Sequence, residues 1–385
     1  MTISQRLTKA FNKSFNREPL LVRAPGRINL IGEHTDYNHG LVMPGAIDRA
    51  ACFAVARNDG NICHIHGMDV NDSITVDLTL PLETVIPSWA KYLLGVLTIM
   101  LRGGADIKGF DLMFSSDIPI GSGLSSSAAL ECGMGYALNA LFGLGYSGED
   151  LAYIGQQAEQ QFVGVQCGIM DQFACCFGKK NNLIMLDCDA VKWHYVPVKL
   201  DSATIILIDS MVRHELAESE YNNRRQQCDQ AVSVIRRQFP EVRTLRNVSK
   251  EMITACADQL SEIELKRSRF VVEENDRVCE AEKKLNQGDL DGVGELINQS
   301  HLGLSQLYEV SCTELDFLVE AARGIPGVYG SRMMGGGFGG CTLNIVDSGE
   351  VEDIVDQISE SYEKKFSTLP NAYTVSLEPG ISKLN

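Results

Sequence analysis

Hydrophobic and polar positions change period several times along this chain, and the changes mark out its elements. Over residues 110–115 they alternate, with Phe110, Leu112 and Phe114 on one face and Asp111 and Met113 on the other, which predicts a strand. A loop over 117–123 then opens a helix over about 125–141. Residues 149–163 place Leu151, Ile154, Ala158 and Phe162 on one stripe, the mark of an amphipathic helix. Glycines at 164 and 168 interrupt it, and a short helix over 169–177 follows. Residues 88–101 have helical composition, with Ser88 as candidate N-cap. Within them, 92–101 is the longest apolar stretch. It is about half a membrane span and reads as a buried helix. Short apolar runs at 183–186 and 203–208 predict buried strands.

Residues 20–50 mix strand-like pieces with turns at Ala24-Pro25-Gly26 and Tyr37-Asn38-His39-Gly40, and a strand-like segment covers 51–57. The pattern changes near 196–201. Beyond it, 218–307 is largely helical with charged faces, and strand character returns at 341–346 and 372–377. The expected architecture is α+β in two domains, 1–195 and 196–385.

Composition narrows the classes. At 385 residues and 44% hydrophobic, the chain can bury a sizeable core. The first 19 residues hold no apolar run of signal-peptide type, and a cytoplasmic protein is expected. Its 12 cysteines include no C-x-x-C pair, which points to reduced, hydrophobe-like thiols. A formal net charge of −16 argues against nucleic acid or an anionic membrane as partner. An anionic ligand would have to be held locally, by backbone N–H groups, a helix N-terminus, a metal ion or a few placed cations.

Such a place exists at Pro119-Ile120-Gly121-Ser122-Gly123-Leu124-Ser125-Ser126-Ser127-Ala128-Ala129, between a predicted strand and a predicted helix. Gly121 and Gly123 allow close backbone approach, and the three serines sit where free N–H groups favour phosphate. The same serines would also serve as an ordinary helix cap. The loop has no Gly-Lys-Ser/Thr, so it is not a Walker A loop, and Ser126 replaces the third glycine of a dinucleotide fingerprint.

Other groups remain open between functional and structural readings. Glu33, His34 and Asp36 crowd one turn-rich segment with Arg27, and would suit a polyhydroxylated ligand or a solvated turn. Asp171 lies in the first turn of its helix. It is either a dipole-favoured residue or a general base held ionised by a cation such as Arg27. Glu159 could coordinate a cation or face solvent. The run Gly335-Gly336-Gly337-Phe338-Gly339-Gly340 precedes a strand rather than a helix, so a tight loop against a ligand or backbone fits better than a dinucleotide site.

Together these segments resemble the galactokinases, members of the GHMP small-molecule kinase family. Gly26-Arg27-Ile28-Asn29-Leu30-Ile31-Gly32-Glu33-His34-Thr35-Asp36-Tyr37 looks like the galactokinase signature, residues 119–129 like the family's ATP loop, and 332–341 like its third motif. Residues 164–172 and Ser219-Glu220-Tyr221-Asn222-Asn223-Arg224-Arg225 are similar to galactokinases in particular. The resemblance implies a GHMP kinase fold, an N-terminal domain related to ribosomal protein S5 domain 2 and a site in the interdomain cleft. It implies that Glu33, His34, Thr35, Asp36, Gly168, Asp171 and Tyr221 bind galactose. Gly121, Ser122, Gly123, Leu124, Ser125, Ser126 and Ser127 would wrap the triphosphate of ATP, and Ser127 and Glu159 would hold Mg²⁺. Asp171 and Arg27 would be catalytic, in a monomer or weak oligomer. Met334 departs from the family's usual small or polar residue, and the Cys175–Cys176 pair is also unusual. A related sugar such as N-acetylgalactosamine or galacturonate is an alternative substrate, as is a sugar-sensing role without catalysis. The carboxylates at 33 and 36 disfavour an acid sugar, and the intact loop with Asp171 and Arg27 disfavours the sensor.

Overall fold

Alternating and continuous apolar runs become thirteen strands in three sheets, among the residues that a computed structural model describes: 2–58, 60–80, 86–200, 202–213 and 217–384. Asp201, at the end of the expected pattern change, lies outside them. Helix α1 (Ile3–Phe15) leads into β1 (Leu20–Asn29), and a single 3-10 turn separates this strand from β2 (Leu41–Val42). Then follow β3 (Pro44–Arg57), β4 (Ile62–Gly67), β5 (Asp72–Asp77), α2 (Ser88–Arg102) and β6 (Phe110–Ser116). Helices α3 (Ser126–Phe142), α4 (Gly148–Ala158) and α5 (Met170–Phe177) precede β7 (Asn182–Asp187), β8 (Lys192–Pro197) and β9 (Ala203–Asp209).

The helical stretch comprises α6 (Ala217–Ile235), α7 (Lys250–Ala255), α8 (Glu262–Gln287), α9 (Leu290–Gln306) and α10 (Thr313–Arg323). The chain ends with β10 (Val328–Met333), β11 (Cys341–Asp347), α11 (Val351–Phe366), β12 (Asn371–Val375) and β13 (Ser382–Leu384).

The first sheet runs β13-β1-β3-β6-β4-β5, the second β10-β11-β9-β12 and the third β2-β7-β8. Helices α2, α3, α4 and α5 pack with the first sheet around Phe53, Leu93, Leu112 and Leu138, all fully buried. Helices α6 and α8 close a separate core around Phe270 and Tyr308. The α+β expectation holds, with local differences. Ser88 is the first helical residue rather than the cap, and Pro87 takes the capping position without a side-chain bond. The helix expected over 149–163 stays regular only to Ala158. It then widens into a π-turn over Glu159–Val163, which is where Glu159 sits.

No described helix is long and apolar enough to cross a membrane. The cysteines are free thiols, and Cys175 is packed in the main core.

Candidate active site

Strand β1 carries a bulge between Pro25 and Arg27, and this bulge places the arginine. A Cβ on Gly26 would lie 2.7 Å from the Leu124 carbonyl, so only glycine lets the Gly–Ser loop come this close. The Arg27 backbone N–H then donates to that same carbonyl at 3.2 Å. Its guanidinium reaches Asp171 at the start of α5 through two bonds, Nε to Oδ1 at 2.7 Å and Nη2 to Oδ2 at 2.8 Å. Nη1 donates to the Gly123 carbonyl. Burial opposes the Arg27 charge, but Asp171, Glu33 and Asp36 hold its pKa above the ordinary arginine value.

Ser125, at the start of α3, adopts φ 56° and makes no side-chain cap. Its hydroxyl donates to Asp171 Oδ2 instead. Gly121 and Gly123 both have positive φ, and Ser122 turns inward to donate to the Pro119 carbonyl at 2.7 Å. The loop is therefore tied to the Arg27–Asp171 pair and does more than cap a helix.

Arg27 and Asp171 line a cavity of about 120 Å³. Eight of the residues singled out from sequence share it: Arg27, Glu33, His34, Asp36, Glu159, Gly168, Asp171 and Tyr221. Thr35 does not line it. Its hydroxyl lies 2.8 and 2.7 Å from the Gly32 and Leu41 carbonyls and shares its one proton between them, which braces the signature turn. Leu124 packs into the core.

Gly168 is required by Asp36, whose Oδ2 lies 2.3 Å from where a Cβ would be. Burial, reinforced by the Asp171 charge, pushes the Asp36 carboxyl up to about 7. Burial, with Arg224 nearby, lowers the His34 imidazole to about 3, so its ring is neutral. Glu33 accepts from Asn29 Nδ2, from the Gly335 N–H at 2.7 Å and from Arg332 Nη2 at 3.1 Å.

A second cavity, about 450 Å³, opens beside the loop between Ile120, Gly121 and Gly123 on one wall and the third glycine motif on the other. Gly335 packs backbone to backbone on Gly123. The Met334 side chain is fully buried in the core, so its departure from the usual residue leaves the backbone contact intact. Arg213 also lines this second cavity and pairs with Asp209 at 2.6 Å.

Sequence reasoning gave no site role to Arg213, Arg332 or Glu274, whereas the Gly335–Gly336 wall fits the tight loop expected of the glycine run. Arg332 is fully buried and donates to the Leu30 and Asn29 carbonyls. Glu274 accepts from the Gly32 N–H at 2.9 Å. For Arg332 the available signal was a charged residue at the head of a glycine run. Glu274 and Arg213 had none.

Glu159 is buried, with Cys167 and Gln172 as bonded partners, neither of them cationic. Burial and the Asp171 charge raise it to about 7, while Cys167, Ser127 and Gln172 act in the opposite direction. Among the described residues no three His, Cys, Asp or Glu side chains form a cation cage. An oxygen pair such as Ser127 with Glu159 suits a hard divalent ion that takes its other ligands from substrate phosphates and water.

Comparison with known proteins adds to this geometry. Three family models match: the galactokinase galactose-binding signature over residues 9–57, the GHMP kinase N-terminal domain over 91–179 and the GHMP kinase C-terminal domain over 281–364. A galactokinase from Roseiflexus is 38% identical over 98% of this chain and 96% of its own length. This chain belongs to the galactokinases of the GHMP kinase family.

A galactokinase from Thermotoga maritima is 40% identical over 94% of this chain and 99% of its own length. The crystal structure of Lactococcus lactis galactokinase complexed with galactose superposes with a TM-score of 0.95 at 35% identity, covering both chains completely. The mevalonate kinase of Methanococcus jannaschii, at 16% identity and TM-score 0.67, shares the fold. As a member of this family the chain is an ATP-dependent sugar kinase.

Proposed function

We propose that this chain transfers the γ-phosphate of ATP to the anomeric hydroxyl of galactose, with Asp171 as general base. The observation that carries this reading is the bidentate Arg27–Asp171 pair, tied to the Gly–Ser loop through Ser125 and Gly123 and open to the smaller cavity. Galactose would lie among Glu33, His34, Asp36, Gly168 and Tyr221, where carboxylates accept from sugar hydroxyls. Asp171 Oδ would take the C1 hydroxyl proton as that oxygen attacks phosphorus. Arg27 orients the carboxylate and adds positive charge beside the transferring group. The triphosphate would lie along Gly121, Ser122, Gly123, Leu124, Ser125, Ser126 and Ser127, where the uncapped α3 N-terminus offers N–H donors. A Mg²⁺ at Ser127 and Glu159 would supply charge neutralisation at the phosphates.

Under the same reading, residues 1–195 and 196–385 are the two domains, and the chain works in the cytoplasm as a monomer or weak oligomer.

The test is ADP release against a panel of hexoses, with and without Mg²⁺. Galactose should be turned over far faster than its epimers, and only with the metal. Asp171→Asn should still bind both substrates while kcat falls by about 10²–10⁴-fold. Full turnover in that variant would remove the base from the mechanism.

A further inference from the structure

Two carboxylates of the smaller cavity each have an arginine of their own. Asp171 has Arg27, which lines the cavity beside it, and Glu33 has Arg332, which stands behind the wall. Arg332 lies near the end of β10 and is fully buried. Its Nε donates to the Leu30 carbonyl at 2.9 Å and its Nη1 to the Met333 carbonyl at 3.1 Å. Its Nη2 donates to the Asn29 carbonyl and, at 3.1 Å, to Glu33 Oε1. The carbonyls are neutral, so the charge of the guanidinium is met by Glu33. One fork thus holds both the end of β1 and the carboxylate of the turn that follows it.

The donors around Glu33 leave little of it open. Each carboxylate oxygen accepts along two lone pairs. Oε1 receives Arg332 Nη2 and the Gly335 N–H, which fills it. Oε2 receives Asn29 Nδ2 at 2.9 Å. Every one of these directions is fixed. Guanidinium and backbone N–H groups only donate, and the Asn29 amide is oriented by its own Oδ1, which accepts from the Met43 N–H at 3.2 Å. Among the described residues this leaves Glu33 one free acceptor site, on Oε2, for a ligand in the cavity it lines.

We propose that Arg332 is a specificity-determining positioning residue: with Asn29 it holds Glu33 as a carboxylate that offers one acceptor, at Oε2, to a single hydroxyl of the sugar. Arg332 stays behind the wall and acts through Glu33, and the choice of a sugar hydroxyl rests on the cavity taking galactose. A lysine at 332 would keep the charge, but its one nitrogen could not span Leu30, Asn29 and Glu33 as the fork does. Glu33 would then be free to turn, and the hydroxyl would lose its partner.

The experiment compares kcat/KM for galactose and its 2-, 3-, 4- and 6-deoxy analogues, all of which keep the C1 hydroxyl. In Arg332→Lys the value should fall at least about tenfold for every sugar that carries the hydroxyl met by Glu33, the usual loss of a bond to a charged group. It should stay within about twofold for the one analogue that lacks it. The loss should fall on the sugar KM, with kcat and the ATP KM nearly unchanged. Glu33→Gln, which puts an amide where the carboxylate was, should spare the same analogue. If Arg332→Lys fails to fold, Asn29→Ser removes the donor on Oε2 from the other side, and it too should spare that analogue alone. A loss shared equally by all five sugars would overturn the proposal, because a brace for the fold has no preference among hydroxyls. So would an unchanged kcat/KM for galactose in Arg332→Lys. A wild type that does not turn over galactose would overturn the sugar-site reading as well, whereas a uniform loss in the variants leaves that reading standing.

Discussion

Gly168 has no side chain because Asp36 occupies the space one would need. A methyl group there would meet the carboxylate at 2.3 Å, and both residues are held by packed elements. Gly168→Ala should therefore push Asp36 out of place. The galactose KM should rise at least about tenfold while the ATP KM stays near wild type, because misplacing a binding carboxylate leaves its hydroxyl partner unpaired. Equal loss of affinity for both substrates in steady-state kinetics would mean a general collapse instead.

Asp36 also makes a pH prediction. Its folded pKa, about 7, lies above the ordinary 3.8, so the native state holds a proton that the unfolded chain releases. The stability this contributes is fully present below about pH 4 and is lost as pH rises through about 7. Asp36→Asn cannot ionise, so the stability of wild type relative to Asp36→Asn should fall across that window in paired denaturant titrations. A difference that is flat with pH would mean that Asp36 is not buried as described.

At the scale of elements, the bulge in β1 does the positioning. Without it the strand would continue flat, and Arg27 would face the wrong side of the ladder. Gly26→Ala brings a Cβ to 2.7 Å from the Leu124 carbonyl and forces strand and loop apart. We expect a loss of about 1–3 kcal/mol in stability. We also expect a drop in kcat larger than any change in galactose KM, because the Arg27–Asp171 alignment suffers first. Unchanged kcat in a destabilised variant would show that the bulge shapes only the fold.

This scale also separates what was legible in the sequence from what was not. Strand β6 was readable because Phe110, Leu112 and Phe114 alternate, and β9 because it is a short continuous apolar run. The residues that line the smaller cavity were readable because the signature turn and 164–172 concentrate unusual residues locally. Strand β8 was missed. It pairs with β7 alone, and its alternation of Lys192 and His194 with Trp193 and Tyr195, the exposed positions against the half-buried ones, is only four residues long and carries no aliphatic residue. The π-turn at Glu159 left no mark in composition. Arg332 with Glu33 and Glu274 with Gly32 span hundreds of residues, and spacing along one sequence cannot reveal a pair that only folding creates.

Across the whole molecule, a strongly acidic chain that is proposed to hold phosphate through the Gly–Ser loop must do so with backbone N–H groups and a few fixed cations, whose aim depends on how the two glycine runs and α5 are clamped. Part of the clamp is the final segment of the chain. Strand β13 pairs antiparallel with the first half of β1, the strand that bears Arg27 toward its other end. Just before it, the Gly380 N–H donates to the Gly178 carbonyl and the Ile381 N–H to the Cys175 carbonyl, both at 2.8 Å. These bonds hold the C-terminal end of α5, the helix whose first turn carries Asp171. Arg23 adds a tie between β1 and the carbonyls of Ile47 and Asp48, beside the same segment.

A chain lacking residues 379–385 should therefore keep its sheets but free one end of α5, the helix that carries Asp171. Its Tm should fall by about 5 °C, which for 385 residues corresponds to about 4 kcal/mol. The kcat should fall several-fold with the ATP KM nearly unchanged, since the Gly–Ser loop is anchored by the Arg27 N–H on its Leu124 carbonyl and by Gly335 against Gly123. Thermal melting and steady-state kinetics on the truncated chain decide the matter. Wild-type kcat at a lowered Tm would mean that Asp171 is held by Arg27 and Ser125 alone, and that the returning strand serves stability without reaching the reaction.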